Sequence, residues 1–293
     1  MLPRRHWQQH LATLDPERDH EEIYRVMLAH EFPWDMTQAL SFALFRTYAV
    51  PSIGALLDRT GELEHHTQKR YDDTALLLDE PLRHGLHSRR GLQAIRQVNR
   101  MHVGHDISAE DMRYVLATFV VVPKRWMDDY GWRPFSAGEV LASVRYYREL
   151  GALMGISEVP ATYAEFESLL EDVESRRFGF DPGGRPVADA TMRLMLTFYP
   201  RVLARATEAF SRSLMDDRLL AAFGYRRPSR TVVALSRASM RARARVLARL
   251  PARARPLHTE GMRRIRSYPD GFALADLGTC QRHGRGARAA TPD

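Results

Sequence analysis

Helix boundary signals recur along most of this chain, and no stretch of useful length alternates apolar with polar residues. A serine, threonine or aspartate precedes many apolar segments, where its side chain can accept a hydrogen bond from the first helical turn. Glycine or proline follows many of them, where helices commonly end. No internal repeat is found. The pattern predicts an all-α, multi-helix fold with about eight to ten helices.

The boundaries of these helices can be placed approximately. Ser88 and Ser108 are predicted N-caps, and two serine or threonine residues followed by glutamate predict capping boxes at Ser136 and Thr162. Pro123 should bend or break its helix, because proline removes a backbone donor and crowds the preceding turn. The predicted helical segments are about 15–31, 35–58 with an interruption at Pro51, 67–86, 89–103, 109–130, 186–199, 201–222 and 230–250.

Composition narrows the class of protein. The 293 residues are 44% hydrophobic and 27% charged, which is ordinary for a soluble globular protein. No apolar run reaches the roughly 18 residues of a membrane span, and no apolar segment follows the basic start, so neither a span nor a secretory signal is predicted. Cys280 is the only cysteine, which excludes an internal disulfide and a cysteine metal cluster. A cytoplasmic location is expected.

The net charge of +7 comes largely from arginines in the last third of the chain. Between Arg226 and Arg255 these arginines alternate with alanine, and aromatic residues that stack on bases are missing from this stretch. We interpret the segment as a solvated helix face, and no nucleic-acid partner is expected. Contact with a membrane surface is the open alternative.

Two helices carry polar residues within apolar faces. His102 follows Leu92, Ile95 and Val98 at helical spacing, so its ring must find a partner, either a metal such as haem iron or a backbone carbonyl. On the preceding helix Arg70 shares a face with Thr74, Leu77 and Leu78. An arginine there needs a counter-charge, which Asp72 or Asp73 or a bound anion can supply. Thr74 can simply bond back to the carbonyl of Arg70.

These residues carry a resemblance to a known family. Arg70-Tyr71-Asp72-Asp73-Thr74 followed by Asn99-Arg100-Met101-His102 resembles the catalytic domain shared by MpaB-type oxygenases and the bacterial rubber oxygenase (latex clearing protein). Flanking segments are similar too, at Tyr48-Ala49-Val50-Pro51 and from Phe119 to Trp132. The similarity covers roughly residues 20–175 and continues more weakly to about 250.

The resemblance implies a globin-like helical core around haem b and dioxygen-dependent chemistry on an apolar substrate, of isoprenoid or lipid class. It implies that His102 is the axial iron ligand and that Arg70 and Thr74 lie in the haem pocket, with Arg70, Thr74 and Asp73 as candidate catalytic residues. Rubber oxygenases carry a lysine directly before the threonine, and here that position is Asp73. A lysine above the iron is therefore excluded at this position, and a smaller substrate than polymeric rubber is expected.

Several alternatives remain beside this prediction. His105 competes with His102 as the iron ligand but lies beyond the predicted helix end at Gly104. Glu17-x-x-His20 and Glu62-x-x-His65 have the spacing of di-iron carboxylate helices, although the second motif falls in a predicted loop. A non-catalytic haem or lipid carrier and an interaction module with a basic arm at 226–266 complete the alternatives.

The chain is predicted to form one helical domain over residues 1–255, followed by a C-terminal extension over 256–293. The last dozen residues, rich in glycine, arginine and alanine, are predicted to be disordered.

Overall fold

The computed structural model describes residues 1–278 and confirms the all-α class: these residues form fourteen α-helices and no β-strand. The disordered tail predicted for the last residues and Cys280 both lie outside the described part of the chain. In the first half the helices are α1 (His6–Leu11), α2 (His20–Val26), α3 (Pro33–Thr47), α4 (Pro51–Thr60), α5 (Glu62–His65), α6 (Thr67–His84) and α7 (Arg89–Val103). In the second half they are α8 (Ala109–Tyr130), α9 (Ala137–Leu153), α10 (Tyr163–Arg177), α11 (Gly184–Leu196), α12 (Ala204–Leu214), α13 (Asp217–Ala222) and α14 (Arg230–Leu247).

The predicted caps are confirmed. The side chains of Ser88 and Ser108 each accept a hydrogen bond from a backbone amide of the first turn, at 2.9 and 3.0 Å. At Ser136 and Thr162 the serine or threonine accepts from the glutamate amide while that glutamate accepts from the cap's own amide, so both predicted capping boxes form. Local side-chain chemistry therefore defines the start of four of the longer helices.

Other boundaries differ from the prediction. The segment expected from Asp15 becomes helical only at His20 and continues as a π-helical turn over Met27–Glu31. The segment expected at 201–222 is divided into α12 and α13, because Asp216 caps a new helix by accepting from the amide of Leu219 at 2.9 Å.

Pro123 does not break α8, which is one helix from Ala109 to Tyr130. A proline inside a helix costs about 3 kcal/mol. Phe119, Val120, Trp126 and Met127 surround it and are all buried, and each such side chain contributes about 1.5–3 kcal/mol. Burial of both flanking turns therefore outweighs the missing backbone bond.

The core has three parts. The largest surrounds α8, which packs against α3, α9, α10 and α14, and a second lies between α11, α13 and the end of α3. The third part joins α6 and α7 to the C-terminal segment 256–278, through Leu76, Leu77 and Leu277 together with partly buried Tyr268. The boundary predicted at residue 255 stays a prediction, and so does the globin-like arrangement.

The turn between α6 and α7 sets how these two helices meet. Gly85 adopts a positive φ of 95°, which L side chains rarely adopt. A Cβ atom at Gly91 would lie 2.1 Å from the carbonyl oxygen of Gly85. The two glycines therefore allow α7 to fold back tightly along α6, and this helical hairpin carries the residues singled out in the sequence.

Within residues 1–278, no single helix has both the length and the apolar character of a membrane span. One pair, α3 and α4, meets those criteria together but is bent by 94°.

Candidate functional site

The α6–α7 hairpin brings Arg70 and His102 to one region. Arg70 lies in the first turn of α6, and Met101 and His102 lie in the last turn of α7. The guanidinium Nη1 of Arg70 contacts the sulfur of Met101 at 3.9 Å. Residues that are far apart in the sequence thus meet, as the predicted site requires.

The imidazole ring of His102 is mostly buried. Its Nδ1 atom is fully buried and unpaired. Burial lowers the pKa of the imidazole, and the positive charges of His105 and Arg70 lower it further. The ring is therefore held in the neutral form, which is the form that ligates a metal. His105, the competing ligand, is exposed, as predicted.

The guanidinium of Arg70 has no carboxylate partner among the described residues. Its one side-chain hydrogen bond goes to the Met101 thioether, which is a weak acceptor. The pair with Asp72 or Asp73 that the sequence left open does not form, since both carboxylates have other partners. A half-buried cation without a counter-charge is costly, so this position favours a bound anion.

Thr74 bonds back along its own helix. Its hydroxyl donates to the carbonyl oxygen of Arg70 at 2.8 Å, which is the local role that the sequence left open. The side chain is half-buried and stands one turn from Arg70 on the same face of α6. Thr74 thereby fixes the backbone that carries Arg70 and leaves the oxygen lone pairs of its hydroxyl available.

Asp72 and Asp73 hold the C-terminal segment, a role that the sequence did not indicate. Asp72 is fully buried and accepts from the backbone amides of Arg266 and Ser267 at 3.0 and 2.8 Å. Asp73, 1% exposed, pairs with Lys69 at 2.7 Å and accepts from the Tyr268 hydroxyl. Only the spacing of Lys69 and Asp73 along one helix could have suggested part of this arrangement.

The two Glu-x-x-His motifs of the di-iron alternative do not meet in one metal-binding cluster within residues 1–278. Glu62 and His65 form the short helix α5, where the sequence predicted a loop. His20 is 16% exposed rather than solvated, and it pairs with Glu149 at 2.6 Å. Glu17 precedes α2 and pairs with Arg145.

The arginine-rich region is only partly a solvated face. Arg243 on α14 pairs with Asp35 at 2.8 Å and lies over the Trp34 ring at 3.8 Å. Arg241 and Arg245 are exposed, as the interpretation of the sequence expected. At least one of these arginines therefore ties α14 to the core.

Comparison with known proteins identifies the class. The family model described as "ER-bound oxygenase mpaB/B'/Rubber oxygenase, catalytic domain" matches residues 24–249, and the chain belongs to this family. The chain is 32% identical over 225 residues to the ER-bound oxygenase mpaB' of Penicillium brevicompactum, covering 71% of this chain and 53% of that protein. It is also 32% identical over 213 residues to the ER-bound oxygenase mpaB of Penicillium roqueforti, covering 67% of this chain and 72% of that protein. The chain thus spans about half the length of the first of these relatives.

Proposed function

We propose that this chain is a haem b-dependent oxygenase that acts with dioxygen on an apolar substrate of isoprenoid or lipid class. Membership in a family of oxygenase catalytic domains supports the reaction class. One observation carries the proposal for the cofactor: on facing helices, the buried Nδ1 atom of His102 has no hydrogen-bond partner, and the Arg70 guanidinium contacts the weakly accepting Met101 sulfur with no carboxylate partner among residues 1–278.

The residues present fit haem b. A haem iron takes a neutral imidazole nitrogen as its axial ligand, and His102 offers one in a largely buried position. A haem also carries propionate carboxylates, which form strong charge-assisted hydrogen bonds with a guanidinium such as that of Arg70. His102 would hold the iron and Arg70 a propionate, with Thr74 beside it. Bound haem supplies the oxygen chemistry, while the chain supplies the axial ligand, the local charge and substrate access.

Lys69 and Asp73, near the start of α6, are both engaged by other groups of the chain. The ammonium of Lys69 bonds to Asp73 at 2.7 Å, to the Tyr268 hydroxyl at 3.0 Å and to the carbonyl of Asp276 at 3.4 Å. Both oxygens of Asp73 are thereby used for anchoring. The geometry gives no support to the predicted catalytic role of Asp73, and we assign it to holding the C-terminal segment.

The substrate class rests on the family. Its description names a rubber oxygenase, which supports an isoprenoid, and the absence of the lysine found in rubber oxygenases favours a smaller molecule. The cytoplasmic location stays a prediction, since the relatives are named ER-bound.

The visible absorption spectrum of the purified chain, expressed with ample haem, tests the cofactor. We expect a strong Soret band that His102→Ala abolishes or shifts, while the exposed neighbour variant His105→Ala keeps it. Arg70→Leu should weaken haem retention about tenfold to 100-fold, because a hydrogen bond to a charged group contributes about 1.5–3 kcal/mol. A colourless protein, or a spectrum unchanged by His102→Ala, contradicts the proposal.

Dioxygen uptake distinguishes an enzyme from a haem or lipid carrier with the same fold. With a reductant and geranylgeraniol or oleate as probes, an oxygenase consumes dioxygen in proportion to substrate. A haem protein that consumes none with any apolar probe supports the carrier. Non-haem iron in a colourless protein supports the di-iron alternative.

A further inference from the structure

A second cluster of metal-ligating side chains lies away from Arg70 and His102. His20 and Glu21 begin α2, Glu149 lies on α9, and His87 is in the turn between α6 and α7. One ligand atom each of His20, Glu21 and Glu149 lies within 4.8 Å of the others. The Nε2 atom of His87 is 2.5 Å from the other oxygen of Glu149. Three separate parts of the chain therefore bring nitrogen and carboxylate donors together around Glu149.

Both ring nitrogens of His20 face oxygen atoms. Its Nε2 faces Glu149 at 2.6 Å, and its Nδ1 faces the backbone carbonyl of Glu17 at 3.4 Å. A protonated imidazole donates to both oxygens, whereas a neutral imidazole has a single N–H. When a metal occupies Nε2, the Nδ1–H donates to the carbonyl, which is the usual outer-shell arrangement of a metal-bound histidine.

We propose that His20, Glu21, Glu149 and His87 bind one divalent transition-metal ion of the zinc type. Two imidazoles and two carboxylates form a donor set that suits Zn²⁺, Co²⁺ or Ni²⁺ better than Mg²⁺ or Ca²⁺, which prefer oxygen ligands alone. The Glu21 carboxylate is fixed by accepting from the Leu86 amide at 2.7 Å, so this ligand is already oriented.

The cluster is accessible from solvent. The cluster borders an open surface depression, with His20 16%, Glu149 30% and His87 60% exposed. Two arginines also border the depression, Arg145, which is paired with Glu17, and Arg148. The ion would fasten the α6–α7 turn to α2 and α9, and this role does not depend on haem.

Calorimetric titration of the full chain with Zn²⁺ tests the site. We expect one equivalent bound with a micromolar Kd, at least tenfold weaker binding in His20→Ala and in Glu149→Gln, and an unchanged Kd in His66→Ala, an exposed histidine elsewhere on the surface. His87→Ala removes a largely exposed side chain and should weaken binding without unfolding the protein. Visible absorption of bound Co²⁺ should be lost in the same variants.

The same titration in His102→Ala separates this site from the proposed haem ligand. Zn²⁺ binding that persists there and disappears in His87→Ala and His20→Ala supports the proposal. Zn²⁺ binding that is lost in His102→Ala, or that has the same Kd in wild type, His87→Ala and Glu149→Gln, overturns it. A wild-type chain that binds no Zn²⁺ at micromolar concentration overturns it as well.

Discussion

The attachment of the C-terminal segment to α6 depends on Asp72. This carboxylate has no exposed surface, and its Oδ2 atom accepts from two successive backbone amides, those of Arg266 and Ser267. Its Oδ1 atom accepts from Gln68, which also donates to the carbonyl of Arg264. We predict that Asp72→Ala releases the segment locally while the main core stays folded.

The expected loss of local stability follows from the hydrogen bonds of the two amides. A hydrogen bond to a charged group contributes about 1.5–3 kcal/mol, and amides released to water recover part of that loss. Asp72→Ala should therefore lower the local opening free energy by about 2–4 kcal/mol, which is about 30- to 700-fold in the opening constant. Asp72→Asn keeps one oxygen acceptor without its charge, and should lose about 1–2 kcal/mol.

Native-state hydrogen exchange measured by mass spectrometry tests this prediction. Peptides covering the Arg266 and Ser267 amides should exchange faster in the order wild type, Asp72→Asn, Asp72→Ala, while α8 amides are unchanged. Asp172→Ala is the control, since that exposed aspartate pairs only with Arg176 on its own helix. Equal exchange of the two amides in wild type and Asp72→Ala would refute the reasoning.

Two further predictions concern stability. Burial raises the pKa of Asp79 from 3.8 to about 6, against the opposing effects of Thr259 and Arg83. Because the folded value is the higher one, stability falls as pH rises through this window, by up to about 3 kcal/mol at about 1.4 kcal/mol per pH unit. In urea unfolding, the free energy of unfolding of Asp79→Asn should therefore rise relative to that of wild type between about pH 4 and pH 8. A difference between the two proteins that does not change with pH would contradict this prediction. A Cβ atom at Gly54 would lie 2.6 Å from the Tyr48 carbonyl oxygen, so Gly54→Ala should cost about 1–3 kcal/mol. A Cβ atom at Gly138 would have its nearest contact at 3.8 Å, so Gly138→Ala should be neutral or stabilising. Thermal melts of both glycine variants measure these effects.

Helix identity was predictable wherever the deciding interactions are local. The caps at Ser88, Ser136 and Thr162 need only partners within the next turn, and all of them form. Pro123 does not break its helix, because that helix is stabilised by burial on both flanks, and this burial depends on helices distant in the sequence. The late start of α2 likewise shows that a cap-like Asp-Pro pair does not by itself begin a helix.

The candidate site was predictable in part. Helical spacing placed His102 and Arg70 on inward faces, and the structure brings them together. Residue spacing does not show which partner each polar group binds, because the partners come from distant parts of the chain. Asp73 illustrates the limit, since its partner Tyr268 comes from a segment without any periodic signal.

The anchoring of the C-terminal segment gives a physical account of the residue that departs from rubber oxygenases. The family match ends at residue 249, whereas the partners of Asp72 and Asp73 on the C-terminal side are Arg266, Ser267 and Tyr268. Aspartate at position 73 thus serves an interaction outside the matched region. An acidic side chain here binds both Lys69 and Tyr268, whereas a lysine would place two ammonium groups one turn apart beside the Tyr268 hydroxyl. The substitution is therefore explained by the extension that packs on α6, and the α6–α7 hairpin that carries Arg70 and His102 is covered on that side by this chain's own C-terminal segment.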